Sequence, residues 1–142
     1  MTPAQHVCNY ALLRFLPYPE TGEFVNVGVM VHGADLPWSG FRVSDDDVRR
    51  VTQFFPAVSV AAYLRQRKTM CEELERVRAL LMSTNDQRLA RSIFQDLVKP
   101  RESVFRFGET RTAMTDDPTA LLTRLCEQYV KPKRSVKMPV PI

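Results

Sequence analysis

The stretch Val7–Leu16, VCNYALLRFL, followed by PYPETGE and then by Phe24–Val31, FVNVGVMV, constrains the fold more than any other part of the chain. The first segment is dense in apolar and aromatic residues with little polar relief, the pattern of a strand covered on both sides. Pro17 ends it, and the prolines and glycine that follow make the two segments a β-hairpin with a loop of roughly five to seven residues. In the second strand Val25, Val27, Val29 and Val31 form a β-branched face expected to meet the core, while Asn26, Gly28, Met30 and His32 form a small or polar face. This alternation predicts a half-exposed sheet, and Gly28 in mid-strand permits a bulge or the close approach of another backbone.

Downstream, Phe41–Val43 reads as a short third strand. Ser44 is then placed to cap a helix with Asp45, Asp46 and Asp47 in its first turn, where acids suit the positive end of the helix dipole. The three aspartates read as capping and solvation, because consecutive helical side chains point about 100° apart and do not converge on a metal. An amphipathic helix is predicted from Val60 to Leu81, with Val60, Tyr63, Leu64, Met70, Leu74, Val77 and Leu81 as its stripe. A shorter one carries Leu89, Ile93, Phe94 and Leu97 and stops before Pro100. Ser103–Phe107 is expected to join the hairpin's sheet, and TRTAMTDDP leads into a last helix started by Asp117 and Pro118, with Leu121, Leu122, Leu125, Cys126 and Tyr129 buried. The fold expected is α+β: an N-terminal β-hairpin in a small, mainly antiparallel sheet packed against about four helices, as a single domain over residues 1–130.

Residues 131–142, KPKRSVKMPVPI, form a basic, proline-containing tail. Removing its Lys131, Lys133, Arg134 and Lys137 from the 20 Lys and Arg leaves 16, equal to the 16 Asp and Glu, so the body is formally neutral and the tail carries the net charge of +4. No apolar run approaches the roughly 20 residues of a membrane-spanning helix, and MTPAQHVCNY lacks the layout of a secretory signal, so a cytoplasmic protein with no membrane contact is expected. Cys8, Cys71 and Cys126 are odd in number and sit in apolar patterns, which fits reduced thiols. His6 and His32 have no ligand-like neighbours, the five glycines never cluster into a phosphate loop, and no nucleophile elbow surrounds a serine. Neither catalytic residues, nor a metal, nor a cofactor is therefore assigned.

One polar constellation stands out. Arg14 interrupts an apolar strand, Glu23 sits at the mouth of the hairpin and Asn26 lies on the small-residue face. An unpaired buried charge costs several kcal/mol, so one reading pairs Arg14 with Glu23 and has Asn26 satisfy a nearby carbonyl. The other gathers Arg14, Arg101, Arg106 and Arg111 into an anion site on the sheet, since guanidinium groups bind phosphate and carboxylate bidentately.

Arg14-Phe15, Pro17, Gly22-Glu23-Phe24 and Val25-Asn26-Val27-Gly28-Val29, with Pro100-Arg101, Ser103, Arg111 and Thr115-Asp116-Asp117-Pro118 later, resemble an uncharacterised bacterial family catalogued as domain of unknown function 3037. The likeness spans most of residues 7–130, the middle helices matching only in character. Genes of that family commonly lie beside one for a HipA-like serine/threonine kinase, so the resemblance implies a partner or regulator of such a kinase, in a toxin–antitoxin or phage-defence setting; it supplies no catalytic residues. The expectation is a non-enzymatic interaction module. The alternatives are nucleic-acid binding through the tail and an enzyme acting on a phosphorylated substrate at an arginine-lined sheet face.

Overall fold

The computed structural model of the chain describes residues 5–44 and 46–131. Strands β1 (His6–Phe15) and β2 (Val25–Gly33) form the expected antiparallel hairpin, in register from Cys8 against Gly33 to Phe15 against Val25. Residues 16–24 connect them, a longer loop than predicted because Leu16 and Phe24 fall outside the strands. Gly22 holds φ 70° in this loop, a left-handed value that residues with a Cβ rarely adopt. Strand β3 (Ser39–Val43) adds to the far side of β2. The remaining edge of β1 is shared end to end by two short strands, β4 (Phe105–Phe107) against Leu13–Phe15 and β5 (Arg111–Thr115) against His6–Tyr10. All these pairings are antiparallel, and the order is β3-β2-β1 with β4 and β5 outermost. Strand β5 departs from the sequence reading, in which RTAMT only leads into the last helix.

Four helices complete the described residues: α1 (Asp47–Phe54), α2 (Val60–Ser83), α3 (Gln87–Val98) and α4 (Pro118–Tyr129). Three begin on side-chain caps that take up otherwise orphaned N–H groups. Ser59 accepts from Ala62 N–H, Asp86 from Arg88 and Leu89, and Asp117 from Thr119 and Ala120, with Pro118 following as anticipated. Helix α1 differs. Its N-cap is Asp46 with no side-chain cap bond, and Ser44 donates its hydroxyl to Asp46 Oδ1 at 2.5 Å instead of capping the helix. Asp47 is buried and not solvated as its charge predicts, and Asp45 lies outside the described residues.

The sheet is covered on both faces. Helix α4 packs Leu121, Leu122, Leu125 and Cys126 against Cys8, Tyr10, Leu12, Val29 and Val31. The opposite face meets α1 and α2 through Leu13, Phe15, Val25 and Val27, and α2 and α3 through Ala11 and Met30. The valines of β2 are therefore all buried, but they divide between two cores. The divide is a β-bulge: Leu13 pairs with Gly28 and Arg14 with Asn26, so Val27 is an extra residue on β2 that reverses the alternation. The predicted polar face of β2 is buried too, with Met30 and His32 at 0% and 3% exposure beneath α2 and α3. The α2 stripe is narrower than its periodicity implies: Val60 and Leu64 are exposed, while Tyr63, Leu74, Val77 and Leu81 are buried.

Gly28 serves the close approach its position permits. A Cβ there would lie 2.9 Å from the carbonyl oxygen of Arg42 and 3.3 Å from a Val43 methyl. Backbone cannot yield as a side-chain tip can, so Gly28→Ala is expected to cost about 1–3 kcal/mol through displacement of β3. A urea midpoint equal to that of the wild-type protein would show that β3 accommodates the methyl group without strain.

Candidate binding sites

Arg14 follows Leu13 at the bulge and faces the same side of the sheet as Asn26, its register partner. Its guanidinium carbon lies 4.2 Å from the centroid of the Phe24 ring. A Cβ on Gly108 would come within 2.8 Å of Cζ and Nη2 and 3.0 Å of Nε. Such similar distances to three atoms of the plane place Gly108 against a face of the guanidinium and not at its edge. The expected Arg14–Glu23 pair is not among the ion pairs of the described residues. Glu23 is exposed, and its backbone N–H donates to Thr21 Oγ1.

Asn26 does satisfy a carbonyl, as the structural reading required: Nδ2 donates to Tyr129 O at 3.4 Å. Arg50 acts beside it, donating from Nη1 to Asn26 O at 2.8 Å and to Val130 O. Together they occupy carbonyls at the C-terminal end of α4, where the helix has none of its own donors left and a cation is favoured by the dipole. Nothing in the run Val48-Arg49-Arg50-Val51 distinguishes Arg50 from Arg49. Its role becomes visible only when α4 is brought against β2.

The four arginines grouped by sequence do not form one site. Arg111 pairs in register with Tyr10, on the α4 face, and its guanidinium lies 5.8 Å from the Tyr129 ring centroid. Arg106 is the register partner of Arg14, but its Nε donates to Ser103 O at 2.6 Å. Arg101 lies on the α3 side, donating to the carbonyl and carboxylate of Asp96 at 2.9 and 3.3 Å. The register puts Arg14, Asn26, Arg106 and Arg111 on one face, the last three engaged with Tyr129 O, Ser103 O and the Tyr129 ring respectively, and leaves Arg101 elsewhere. In the tail, Lys131 is exposed directly after α4, and Lys133, Arg134 and Lys137 lie outside the described residues.

Two of the concave surfaces bear on these residues. A groove of about 520 Å³ runs between α2, α3 and β4, lined by Met70, Val77, Ile93 and Leu97 and rimmed by two ion pairs together with Lys99 and Arg106, which have no carboxylate partner among the described residues. Arg76 donates to both Glu73 carboxylate oxygens, and Arg101 pairs with Asp96. A second cavity of about 500 Å³ is lined by Arg14, Gln95, Lys99, Gly108, Glu109 and Thr110.

The family model described as "Protein of unknown function (DUF3037)" matches residues 10–130. The chain belongs to this family. No curated protein and no solved structure matches it. The DUF3037 match includes Arg14, Asn26, Arg50, Arg101, Arg111, the groove and the second cavity, and it stops just before Lys131.

The DUF3037 chain also holds buried polar groups that line neither concavity. Asp47 Oδ2 accepts from Tyr63 Oη and from Arg67 Nε, both at 2.5 Å. Burial and then the hydrogen bond to Asp47 push the Tyr63 phenol pKa upward. Burial works against the Arg67 charge, but the hydrogen bond to Asp47 together with the charge interactions with Asp47, Cys71 and Tyr63 outweighs it and its pKa rises. His32 stacks on Phe94 at 5.1 Å and shares a 3.0 Å hydrogen bond with Ser39, and burial lowers its pKa. Cys8 and Cys71 are free thiols. Among the described residues no group of three or more His, Cys, Asp or Glu side chains is placed to hold a metal ion, and no helix is long and apolar enough to cross a membrane.

Proposed function

We propose that this chain is a non-enzymatic interaction module that seats an extended segment of a protein partner in the α2–α3–β4 groove. The observation that carries the reading is the behaviour of β4. Phe105, Arg106 and Phe107 all border the groove, although successive strand residues point to opposite faces, so the groove runs along the strand's edge. Among the described residues that edge is open, because β4 pairs with β1 alone. An added strand would gain main-chain hydrogen bonds from it and place alternate apolar side chains over Ile93 and Leu97. Glu73–Arg76 and Asp96–Arg101 are already paired, while Lys99 and Arg106 have no carboxylate partner among the described residues, so a segment with an acidic residue suits the rim.

The partner class follows from the family resemblance: a HipA-like serine/threonine kinase, which the module docks on or restrains, in a toxin–antitoxin or phage-defence operon. Co-expression with the neighbouring kinase followed by size exclusion is expected to give one complex. Ile93→Glu places a charge on the apolar floor and should weaken that complex by roughly 30-fold or more, the scale of a hot-spot loss. Two separately eluting proteins with unchanged kinase activity would overturn the partnership, and an Ile93→Glu complex of wild-type affinity would move it away from the groove. The alternative partner, a nucleic acid held through Lys131, Lys133, Arg134 and Lys137, predicts binding that falls steeply with salt and disappears when residues 131–142 are removed.

A further inference from the structure

Arg14 is in an unusual state for a half-buried charge. It takes part in none of the hydrogen bonds or ion pairs among the described residues, and its Nε is sealed from solvent with no acceptor. The Phe24 ring and Gly108 lie against the guanidinium, while Nη1 and Nη2, which are not among the atoms sealed from solvent, are left for another group. The cation–π contact recovers only part of the hydration lost, about 0.5–2 kcal/mol. A half-buried guanidinium with no acceptor calls for a cause, and an ion or ligand at its reachable Nη atoms is one of the few available.

The surroundings indicate what that group is. The cavity beside Arg14 carries Lys99 as a second cation, and neither Lys99 nor Glu109 is ion-paired among the described residues. Gln95 and Thr110 supply neutral donors, Val98 and Phe107 an apolar wall, and Glu109 is the one carboxylate. We propose that this cavity binds an oxyanion, a phosphate monoester or a carboxylate, with the Arg14 guanidinium as its planar donor and Lys99 as its second charge. Gly108 then matters for binding, since a side chain there would displace the guanidinium. The cavity shares Lys99 and Phe107 with the groove, but Arg14 and Gly108 take no part in the groove and Ile93 takes no part in the cavity, so the two readings are tested separately.

The test is an NMR titration of the full chain that follows the Nε–Hε resonances of arginine, with inorganic phosphate in one series and acetate in another. A saturable shift of the Arg14 resonance is expected, surviving sodium chloride at levels that screen surface attraction. A response to phosphate alone assigns a phosphate ester, and a response to both admits a carboxylate. Arg14→Gln should weaken binding roughly 10- to 100-fold, the range for losing a charged hydrogen-bond donor. Should that variant fail to fold, Glu109→Gln provides the second arm, because removing the only carboxylate should tighten binding several-fold. An Arg14 resonance that moves with neither anion, or no more than it moves with chloride, would overturn the proposal.

Discussion

Asp47→Ala is expected to destabilise the protein by about 3–5 kcal/mol, the range for removing one partner of a buried charge pair. The Asp47 side chain is 2% exposed and accepts from both Tyr63 and Arg67. Alanine would leave a fully buried phenol donor without an acceptor and a guanidinium, itself only 30% exposed, without its counter-charge. The loss would appear as a lower urea midpoint with an unchanged slope. Asp47→Asn keeps an acceptor for Tyr63 and should cost less. Tyr63→Phe in the Asp47→Ala background should cost less than it does alone, because the phenol has already lost its acceptor. A loss below about 1 kcal/mol for Asp47→Ala would show that the pair behaves like a solvated surface bridge.

Phe15→Ala should cost a similar amount, about 3–5 kcal/mol, for a different reason: it empties the centre of an aromatic cluster. Phe15 is 2% exposed, and its ring centroid lies 4.9 Å from Tyr63, 5.3 Å from Phe105 and 6.1 Å from Phe55. These contacts join β1 to β4 and to α2, so the collapse needed to fill the void would have to move elements on different sides of it. Because Phe15 touches Tyr63, its loss and that of Asp47 should not add. Chemical denaturation of the two single variants and the double variant measures this directly, and strict additivity would mean that the aromatic cluster and the polar triad fold as separate units.

The sequence made the hairpin legible because its signals are local: Pro17, Gly22 and two apolar runs need no distant partner to be read. The capped helices were legible for the same reason, with Asp117-Pro118 before a leucine stripe as the clearest case. Strand β5 was not, since Arg111, Thr112 and Met114 are exposed on an edge and show no apolar alternation. The bulge at Val27 leaves no trace in a run of alternating valines, although Gly28 marked its neighbourhood. Asp47 read as solvated because its partners Tyr63 and Arg67 lie 16 and 20 positions further on. Arg14 could be singled out as a charge in an apolar strand. What it lacks could not, because Phe24 and Gly108 hold it only after β4 has paired with β1.

The shared edge of β1 has a consequence for how the chain reaches this state. Asn9 and Thr112, whose side chains are hydrogen-bonded at 3.1 Å across β1 and β5, are 103 positions apart. During synthesis the meander of β1, β2 and β3 can assemble early from neighbouring segments, but β1 then presents a bare, strongly apolar edge until residues 105–115 emerge. Pairings over such separations form slowly, since the entropy of closing the intervening chain must be overcome first. The half-made sheet is thus the stage at which this protein is most exposed to self-association, and a chaperone that shields the β1 edge would act there.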